Sequence, residues 1–315
     1  MKDRTPTYVL ITPAKNEEEF LARTMESVIG QTVKPLRWVI VSDGSTDRTD
    51  EIASRGAAEH EWIEFIRMPD RQGRDFAGKV GSFNAGVARV KRLPYDIIGS
   101  LDADIAFGPD YFEYLLGRFA EDSQLGIAGT PFDEGAGTYD FRFSSLDHVS
   151  GACQLFRRAC FEQIGGYVPL EGGGIDVVAV LSARMAGWRT RTFPDMRSIH
   201  LRPMGSANHR LKLIANYKLG ERGYRLGFHP LWQVFRSVYQ LTRPPYVTGG
   251  VALAAGYFSA MLRRAKRPVS RELVEFQRND QMRRLRAFVR GRVLGEPNVS
   301  AHATAVARPP SGRDS

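Results

Sequence analysis

Two aspartates stand one residue apart in the sequence Asp102-Ala103-Asp104, directly after a run of apolar residues. Carboxylates at this spacing can share a divalent cation, and Mg²⁺ and Mn²⁺ prefer oxygen ligands. A cation held there would neutralise a diphosphate and stabilise it as a leaving group. The alternative is a solvated pair of acids at a turn, since the D-x-D spacing also occurs by chance. Placement at the end of an apolar strand favours the cation site.

A second polar cluster, Asp43–Asp47, follows another apolar run and reads DGSTD. Gly44 permits a tight turn, and the Ser, Thr and Asp after it are residues that cap helices. Capping does not explain the position of Asp43 at the strand end itself, where its carboxylate could accept a hydrogen bond from a nucleobase N–H. The same argument applies to Asn16 and Glu17, which follow the first apolar run.

Three glycines, Gly172–Gly174, precede Asp176 at the start of a segment with helical period. As a helix cap, Asp176 would be purely structural. As a general base, it would take a proton from an acceptor hydroxyl, and the glycines would give the open surround that admits the acceptor. The residues alone leave both interpretations open.

Strand and helix patterns alternate through the first 110 residues. The apolar, Val- and Ile-rich runs predict strands at Tyr8–Ala14, Trp38–Gly44, Trp62–Met68 and Asp96–Asp104. The segments between them predict helices at Glu17–Ile29, Arg48–Ala58 and Lys79–Val90. This alternation is typical of an α/β fold with a parallel sheet covered on both faces. Because ligands bind at the carboxyl ends of strands in such sheets, we expect a nucleotide site at Pro13–Glu17, Ser42–Asp47 and Asp102–Asp104.

Five motifs, in order, resemble those of the family 2 glycosyltransferases. They are T-P-A-K-N-E, S-D-G-S-T-D, G-K-V-G-S-F-N-A-G, D-A-D and G-I-D-V-V-A-V-L-S-A-R-M-A-G-W, which begin at Thr12, Ser42, Gly78, Asp102 and Gly174. The resemblance covers about Thr7–His200, nearly two-thirds of the chain. It implies a GT-A (Rossmann-like) fold with a mostly parallel sheet flanked by helices, a nucleotide-sugar donor, Mn²⁺ or Mg²⁺, and inversion at the anomeric carbon.

The resemblance also implies roles for individual residues. The nucleotide would contact Pro13, Ala14, Asn16, Glu17, Asp43, Asp102 and Ala103, with Lys79 beside the diphosphate. The metal would be held by Asp104, Asp102 and His200, although His200 could also be an ordinary structural histidine. Asp176 matches the second residue of the family's Glu-Asp pair, the expected catalytic base. Ile175 stands where the family has Glu, and Glu171 is a candidate substitute.

These implications favour transfer of one sugar, by default from a UDP-sugar, to a glycan or lipid-linked acceptor in cell-surface polysaccharide assembly. The sequence has no Q-x-x-R-W, which argues against a processive synthase, and no G-x-G-x-x-G after the first strand, which excludes a dinucleotide dehydrogenase. A sugar nucleotidyltransferase would need a Gly-rich, Arg-bearing phosphate loop at that place. Because Ile175 leaves one carboxylate fewer, a catalytically impaired homologue that binds nucleotide or glycan is the alternative.

Positive charge is concentrated near the C-terminus of the 315-residue chain, whose net charge is +9. Residues 263–315 contain 13 Lys and Arg against 5 Asp and Glu. Such a tail indicates an anionic partner, either a lipid surface or nucleic acid. We expect an anionic membrane surface and no nucleic acid, because no nucleic-acid-binding module is recognisable in the sequence. The two cysteines, Cys153 and Cys160, match neither a zinc knuckle nor a redox pair.

Nineteen uncharged residues separate Arg243 from Arg263, close to the ~20 that span a membrane. Prolines and glycines interrupt the run, and a span with the basic tail in the cytosol would put the donor site on the far side. We expect residues 244–262 to dip into or pack on the leaflet, with the basic segment Glu272–Val293 on anionic headgroups. An ordinary buried helical extension is the alternative.

The predicted organisation has three parts, a catalytic domain over residues 1–212, a helical extension over 213–294 and a disordered basic tail over 295–315. The N-terminal apolar run is too short for a secretion signal. The expected location is therefore cytoplasmic, peripheral on the cytosolic face of the inner membrane.

Overall fold

The computed structural model describes residues 4–70, 76–133, 145–170, 172–202 and 209–294. The chain divides into two compact units, Met1–Ile214 and Ala215–Ser315, which are described separately. The expected disordered tail, residues 295–315, and the candidate Glu171 lie outside the described residues. The three-part organisation therefore stays a prediction.

Strands of the first unit form two sheets. The strands are β1 (Tyr8–Ala14), β2 (Arg37–Ser42), β3 (Ile63–Arg67), β4 (Ile97–Leu101), β5 (Ile105–Phe107), β6 (Leu125–Gly129), β7 (Phe132–Asp133), β8 (Cys153–Arg157), β9 (Arg189–Thr192) and β10 (Ser198–His200). The larger sheet has the order β3-β2-β1-β4-β8-β6-β9, and in it β8 runs antiparallel to both neighbours while the other pairs are parallel. The predicted α/β fold with a mostly parallel sheet is confirmed.

Helices connect these strands and continue into the second unit. They are α1 (Leu21–Ile29), α2 (Thr49–Glu59), α3 (Phe76–Val90), α4 (Tyr111–Glu121), α5 (Arg158–Ile164), α6 (Ile175–Met185), α7 (His209–Arg225), α8 (Pro230–Leu241), α9 (Thr248–Leu262) and α10 (Arg271–Leu294). The predicted first helix began at Glu17, but α1 begins at Leu21. The polar residues before Leu21 form a turn instead, and the peptide N–H of Phe20 donates to the carbonyl of Glu17.

The branched apolar residues of the central strands are buried in the core. Val9, Leu10 and Ile11 on β1 are all buried, so both faces of this central strand are covered. Trp38 on β2 is also buried, and its indole N–H donates to the hydroxyl of Thr12 at 2.9 Å. This rigid centre fixes where β1, β2 and β4 end, and therefore fixes the polar residues that follow them.

The smaller sheet, in the order β5-β10-β7, brings a distant segment beside the D-x-D sequence. In its antiparallel pairing, His200 on β10 lies opposite Ile105, the residue after Asp104. The peptide N–H of Leu201 donates to the carbonyl of Asp104 at 2.8 Å. Backbone pairing thus places His200 next to Asp104 although 96 positions separate them in sequence.

In the second unit, α8 and α9 pack antiparallel. Gly250 on α9 lies against Ser237 and Leu241, and the side chain of Gln233 reaches the carbonyl of Leu253. The apolar residues Leu273 and Val274 of α10 are buried. Within the part of the chain that the structure describes, no helix has both the length and the hydropathy needed to cross a membrane.

Candidate active site

A cavity of about 340 Å³ opens at the carboxyl ends of β1, β2 and β4. Its size lies within the range of small-molecule sites, and its position is the one expected for ligands in open α/β sheets. The residues that line it are Pro13, Ala14, Lys15, Glu17, Asp43, Lys79, Ser82, Asp102, Ala103 and Asp104. All but Lys15 and Ser82 are residues singled out in the sequence.

Asn16 is the one nucleotide-contact candidate that is not among these lining residues. Its φ of 53° lies in the left-handed region, which Asn tolerates better than most residues. Its side-chain oxygen accepts the N–H of Thr46 at 2.9 Å, and its own N–H donates to the hydroxyl of Ser45 at 3.1 Å. Asn16 therefore joins the loops after β1 and β2, and its nucleotide contact stays a prediction.

Asp47 joins the same two loops from the other side. One carboxylate oxygen accepts the N–H and hydroxyl of Thr49 at the start of α2, at 3.0 and 2.6 Å. The other accepts the N–H of Glu18 at 3.0 Å. Asp47, one residue before the cap position Arg48, thus accepts the hydrogen bond from the first residue of α2, while Asp43 lines the cavity.

Each Lys in the cavity lining is paired with a carboxylate. Lys15 Nζ lies 3.6 Å from Asp43 Oδ2, and Lys79 Nζ donates to Asp102 Oδ1. Burial lowers the pKa of Lys79, but attraction to Asp102, with smaller contributions from Asp176 and Asp104, outweighs this and raises its pKa above the ordinary value. Lys79 is therefore positively charged, as a contact to diphosphate requires.

Arg202 bridges two carboxylates of the site. Its Nε donates to Asp104 Oδ2 at 3.1 Å and its Nη2 donates to Glu17 Oε2 at 2.5 Å, while the guanidinium lies 4.8 Å from the ring centroid of Phe20. Glu17 is buried, and this charge-assisted bond gives its carboxylate a partner. Sequence reasoning missed Arg202, since nothing local in the sequence indicates a partner 185 positions away.

Asp104 and His200 together fit a divalent cation. His200 Nδ1 lies 2.8 Å from the carbonyl of Arg202, and because a carbonyl only accepts, Nδ1 carries the hydrogen. In a neutral ring the other nitrogen, Nε2, is a lone-pair acceptor, and it lies 3.8 Å from Asp104 Oδ2. Two acceptors that face each other, with the imidazole held by a backbone carbonyl, are typical of metal ligands.

The predicted set of three metal ligands is not gathered in one group. Asp102 is directed to Lys79, whereas Asp104 lies with His200. Across the described ranges, no three His, Cys, Asp or Glu side chains come close enough to hold a metal ion together.

Asp176 lies in the first turn of α6, which begins at Ile175 after Gly174 with φ 93°. The cap position is therefore occupied by glycine, and the helix-cap interpretation of Asp176 is wrong. Asp176 is not among the residues that line the cavity, but its negative charge contributes to the raised pKa of Lys79, which lines it. Gly151 packs on it, because a Cβ at Gly151 would lie 3.0 Å from Asp176 Cβ. The sequence motifs gave no signal for Gly151.

Ser82 was also missed, although it lies inside the Gly78–Gly86 motif. Its side chain is buried and lines the cavity, yet its hydroxyl has no hydrogen-bond partner among the described residues. A buried hydroxyl without a partner costs free energy unless a ligand or water satisfies it. Ser82 is thus a candidate ligand contact.

Comparison with known proteins decides the family. Residues 9–165 match Glycosyl transferase family 2, a range that includes Asp43, Lys79, Asp102 and Asp104. The chain belongs to glycosyl transferase family 2. Asp176 and His200 lie beyond the matched range, so the roles that the sequence predicts for these two residues stay predictions.

Relatives and solved structures agree with this glycosyltransferase assignment. The chain is 32% identical over 127 residues to a chondroitin synthase of Escherichia coli, which is 40% of this chain and 17% of that protein. A mannosyltransferase of Pyrobaculum calidifontis, solved with GDP-Man and Mn²⁺, has a TM-score of 0.58 at 17% identity, over 94% of this chain and 83% of that one. S. aureus TarS, solved with UDP-GlcNAc, has a TM-score of 0.51 at 13% identity, over 86% of this chain and 78% of that one. The two structural likenesses show a shared GT-A fold.

Proposed function

We propose that this family 2 glycosyltransferase moves one sugar from a nucleotide-sugar donor to an acceptor hydroxyl, with inversion at the anomeric carbon. The observation that carries the proposal is the pair of acceptors, Asp104 Oδ2 and His200 Nε2, beside the positively charged Lys79 at the carboxyl ends of the strands. Asp104 and His200 could bind a cation, and the positive charge of Lys79 could bind the diphosphate.

Asp104 and His200 would hold the cation, Mn²⁺ or Mg²⁺, with Asp102 close by in the same D-x-D sequence. When bound, the cation would neutralise the diphosphate and stabilise it as a leaving group. The mannosyltransferase of similar fold was solved with Mn²⁺, which supports this choice. Lys79 would share the diphosphate charge, and Asp43 would accept a hydrogen bond from the nucleobase.

Asp176 would act as the general base. It would accept the proton of the acceptor hydroxyl while that oxygen forms a bond to C1 of the sugar. The bond between C1 and the diphosphate oxygen breaks on the opposite side, and its electron pair leaves with the nucleoside diphosphate. A positioned base contributes about 10²–10⁴-fold to the rate, so most of the acceleration would come from positioning and charge stabilisation.

The proposed donor is a UDP-sugar and the proposed acceptor a glycan, lipid-linked, in cell-surface polysaccharide assembly. Support comes from the chondroitin synthase relative and from the neighbour solved with UDP-GlcNAc. The chain covers only 17% of that relative's length, so the synthase's full activity is not carried over.

The proposed location is the cytosolic face of the inner membrane, with an anionic lipid surface as partner. The basic second unit supports this, because anionic headgroups attract Lys and Arg within a Debye length. A cytosolic location would also give the enzyme direct access to nucleotide sugars.

A thermal-shift screen tests the donor site. Purified protein is heated with UDP, GDP, dTDP or CMP, each with Mn²⁺, Mg²⁺ or EDTA. A ligand of the folded state stabilises by RT ln(1 + [L]/Kd), about 2.7 kcal/mol at 100 times Kd. We expect metal-dependent stabilisation by UDP that is lost in Asp104→Asn and kept in Asp110→Asn, an exposed control at the start of α4. Equal stabilisation in EDTA would contradict the metal site.

A further inference from the structure

Helix α8 exposes three of its apolar residues to solvent and buries two of its polar residues. Leu231, Val234 and Val238 are 56%, 44% and 56% exposed, and their spacing puts them on one face of the helix. Gln233 and Ser237, on the other side, are buried. A helix in water normally shows the reverse arrangement, so the outer face of α8 is suited to an apolar environment.

The packing against α9 makes this inverted arrangement stable. The side-chain amide of Gln233 donates to the hydroxyl of Ser237 at 3.3 Å and lies 3.5 Å from the carbonyl of Leu253. The backbones approach closely, because a Cβ at Gly250 would lie 2.5 Å from the carbonyl oxygen of Ser237. A small residue is needed there, and rotating α8 to bury its apolar face would break these contacts.

The apolar surface continues past the end of α8. Tyr246 and Val247, in the connection to α9, are 66% and 60% exposed. We name this set the α8 surface: Leu231, Val234, Val238, Tyr246 and Val247. Exposed apolar patches of this kind mark contact sites for proteins or membranes.

Charge distinguishes between these two kinds of partner. The second unit contains 18 Lys and Arg against 6 Asp and Glu, a net charge of +12, whereas the first unit has 26 against 29, a net charge of −3. Two copies that met through their second units would bring two charges of +12 together. An anionic lipid surface instead attracts this unit and accepts its apolar side chains.

We propose that the α8 surface lies in the interface of an anionic membrane, with α8 parallel to the bilayer plane. The 12 residues of α8 measure about 18 Å, too short to cross the ~30 Å hydrocarbon core. The proposal rests on the membrane partner given under the proposed function, and it places the apolar contact on α8 and on Tyr246 and Val247 rather than along the whole run 244–262, most of which forms α9.

Vesicle flotation with the full chain tests the α8 surface. The vesicles are phosphatidylcholine alone or phosphatidylcholine with phosphatidylglycerol. The double variant Val234→Glu/Val238→Glu places two charges on exposed positions and is compared with Val168→Glu, which is 44% exposed in the first unit. We expect wild type and Val168→Glu to float with the anionic vesicles, and the double variant to lose about tenfold or more in bound fraction.

The flotation results separate the α8 surface from the membrane partner as a whole. Equal flotation of the double variant and wild type would overturn the α8 surface while leaving the membrane partner in place. No flotation of wild type with either vesicle would overturn the membrane partner as well. If light scattering shows a dimer that the double variant abolishes, the α8 surface is a contact between copies and the proposal is wrong. The thermal-shift screen with nucleotide, run on the same proteins, tests the donor site separately.

Discussion

One carboxylate oxygen of Asp104, Oδ2, faces His200 and also accepts a hydrogen bond from the guanidinium of Arg202. A bound metal ion would therefore compete with Arg202 for Asp104. We predict that Arg202→Gln binds Mn²⁺ more tightly than wild type in the absence of nucleotide, since the competing charge is gone. Titration of free Mn²⁺ by electron paramagnetic resonance measures this directly.

Arg197→Gln is the control for that titration, because Arg197 lies in the same segment but pairs with Asp133. Its Mn²⁺ affinity should equal that of wild type. Weaker Mn²⁺ binding in Arg202→Gln would mean that Arg202 orients Asp104 for the metal rather than competing with it.

Ser82 supplies a second prediction at the residue scale. Ser82 lines the cavity and its buried hydroxyl has no hydrogen-bond partner among the described residues, so we expect this hydroxyl to hydrogen-bond the donor. Loss of one such bond costs about 0.5–1.5 kcal/mol, and Ser82→Ala should raise the donor KM about 2- to 10-fold. Steady-state kinetics measure the change. Ser27→Ala, which removes a hydroxyl bonded to Thr24 within α1, should leave KM unaltered, and an unaltered KM in Ser82→Ala would exclude the contact.

At the element scale, the loops after β1 and β2 are held together by Asp47. Hydrogen bonds to a charged group contribute about 1.5–3 kcal/mol, so Asp47→Ala should lower the free energy of unfolding by roughly that amount at neutral pH. Burial raises the pKa of Asp47, but its hydrogen bonds from Thr49 and Glu18 outweigh this and lower it. A lowered native pKa stabilises above the unfolded value of about 3.9, and this stabilisation disappears as pH falls through the native pKa.

Urea unfolding at neutral pH and near pH 3 therefore checks the Asp47 prediction. The difference between wild type and Asp47→Ala should shrink at the acid pH. A difference that stays constant, or that grows in acid, would show that the carboxylate's charge is not what joins the loops.

The turn before β8 positions the start of α6. A methyl group at Gly151 would lie 3.0 Å from Asp176 Cβ, so Gly151→Ala must displace the proposed base. Small misplacement of a reacting group can cost up to about 10²-fold, and we expect kcat to fall about tenfold with little change in donor KM. Gly117→Ala on α4, where a Cβ would meet nothing within 4 Å, is the matched control. A rise in KM without a fall in kcat would contradict the assignment.

At the scale of the whole molecule, the proposed donor site and the proposed membrane contact belong to different units. Asp104→Asn should therefore lose metal-dependent stabilisation by nucleotide but still float with anionic vesicles. Val234→Glu/Val238→Glu should behave in the opposite way. If either variant lost both properties although its circular dichroism spectrum matched wild type, the assignment of one function to each unit would be wrong.

The sequence predicted those parts of the site that follow directly from strand ends. Asp43, Asp102 and Asp104 come after apolar runs, and such runs in an alternating pattern end at one edge of a parallel sheet. Arg202 and Gly151 could not be predicted, because their partners Glu17 and Asp176 are brought near by β10 and β8, whose pairing is not local in sequence.

The inverted helix α8 was missed for a different reason. Its periodicity indicates an amphipathic helix, and the usual inference buries the apolar face of such a helix. The burial of Gln233 and Ser237, together with the close packing of Gly250 against Ser237, shows which face is inside. The sequence pattern instead predicted a membrane contact for the uncharged run at residues 244–262, most of which forms α9, and α9 packs on α8.

Release of nucleoside diphosphate tests whether this chain transfers a sugar with Asp176 as the general base. Wild type and Asp176→Asn are incubated with UDP-, GDP- and dTDP-sugars in Mn²⁺, with a lipid-linked glycan extract or with water as acceptor, and released diphosphate is measured. We expect wild type to release nucleoside diphosphate from one donor, EDTA to abolish this release, and Asp176→Asn to lose about 10²-fold or more of it with donor binding retained. Donor binding without any release by wild type would contradict this expectation and identify the chain as a binding homologue.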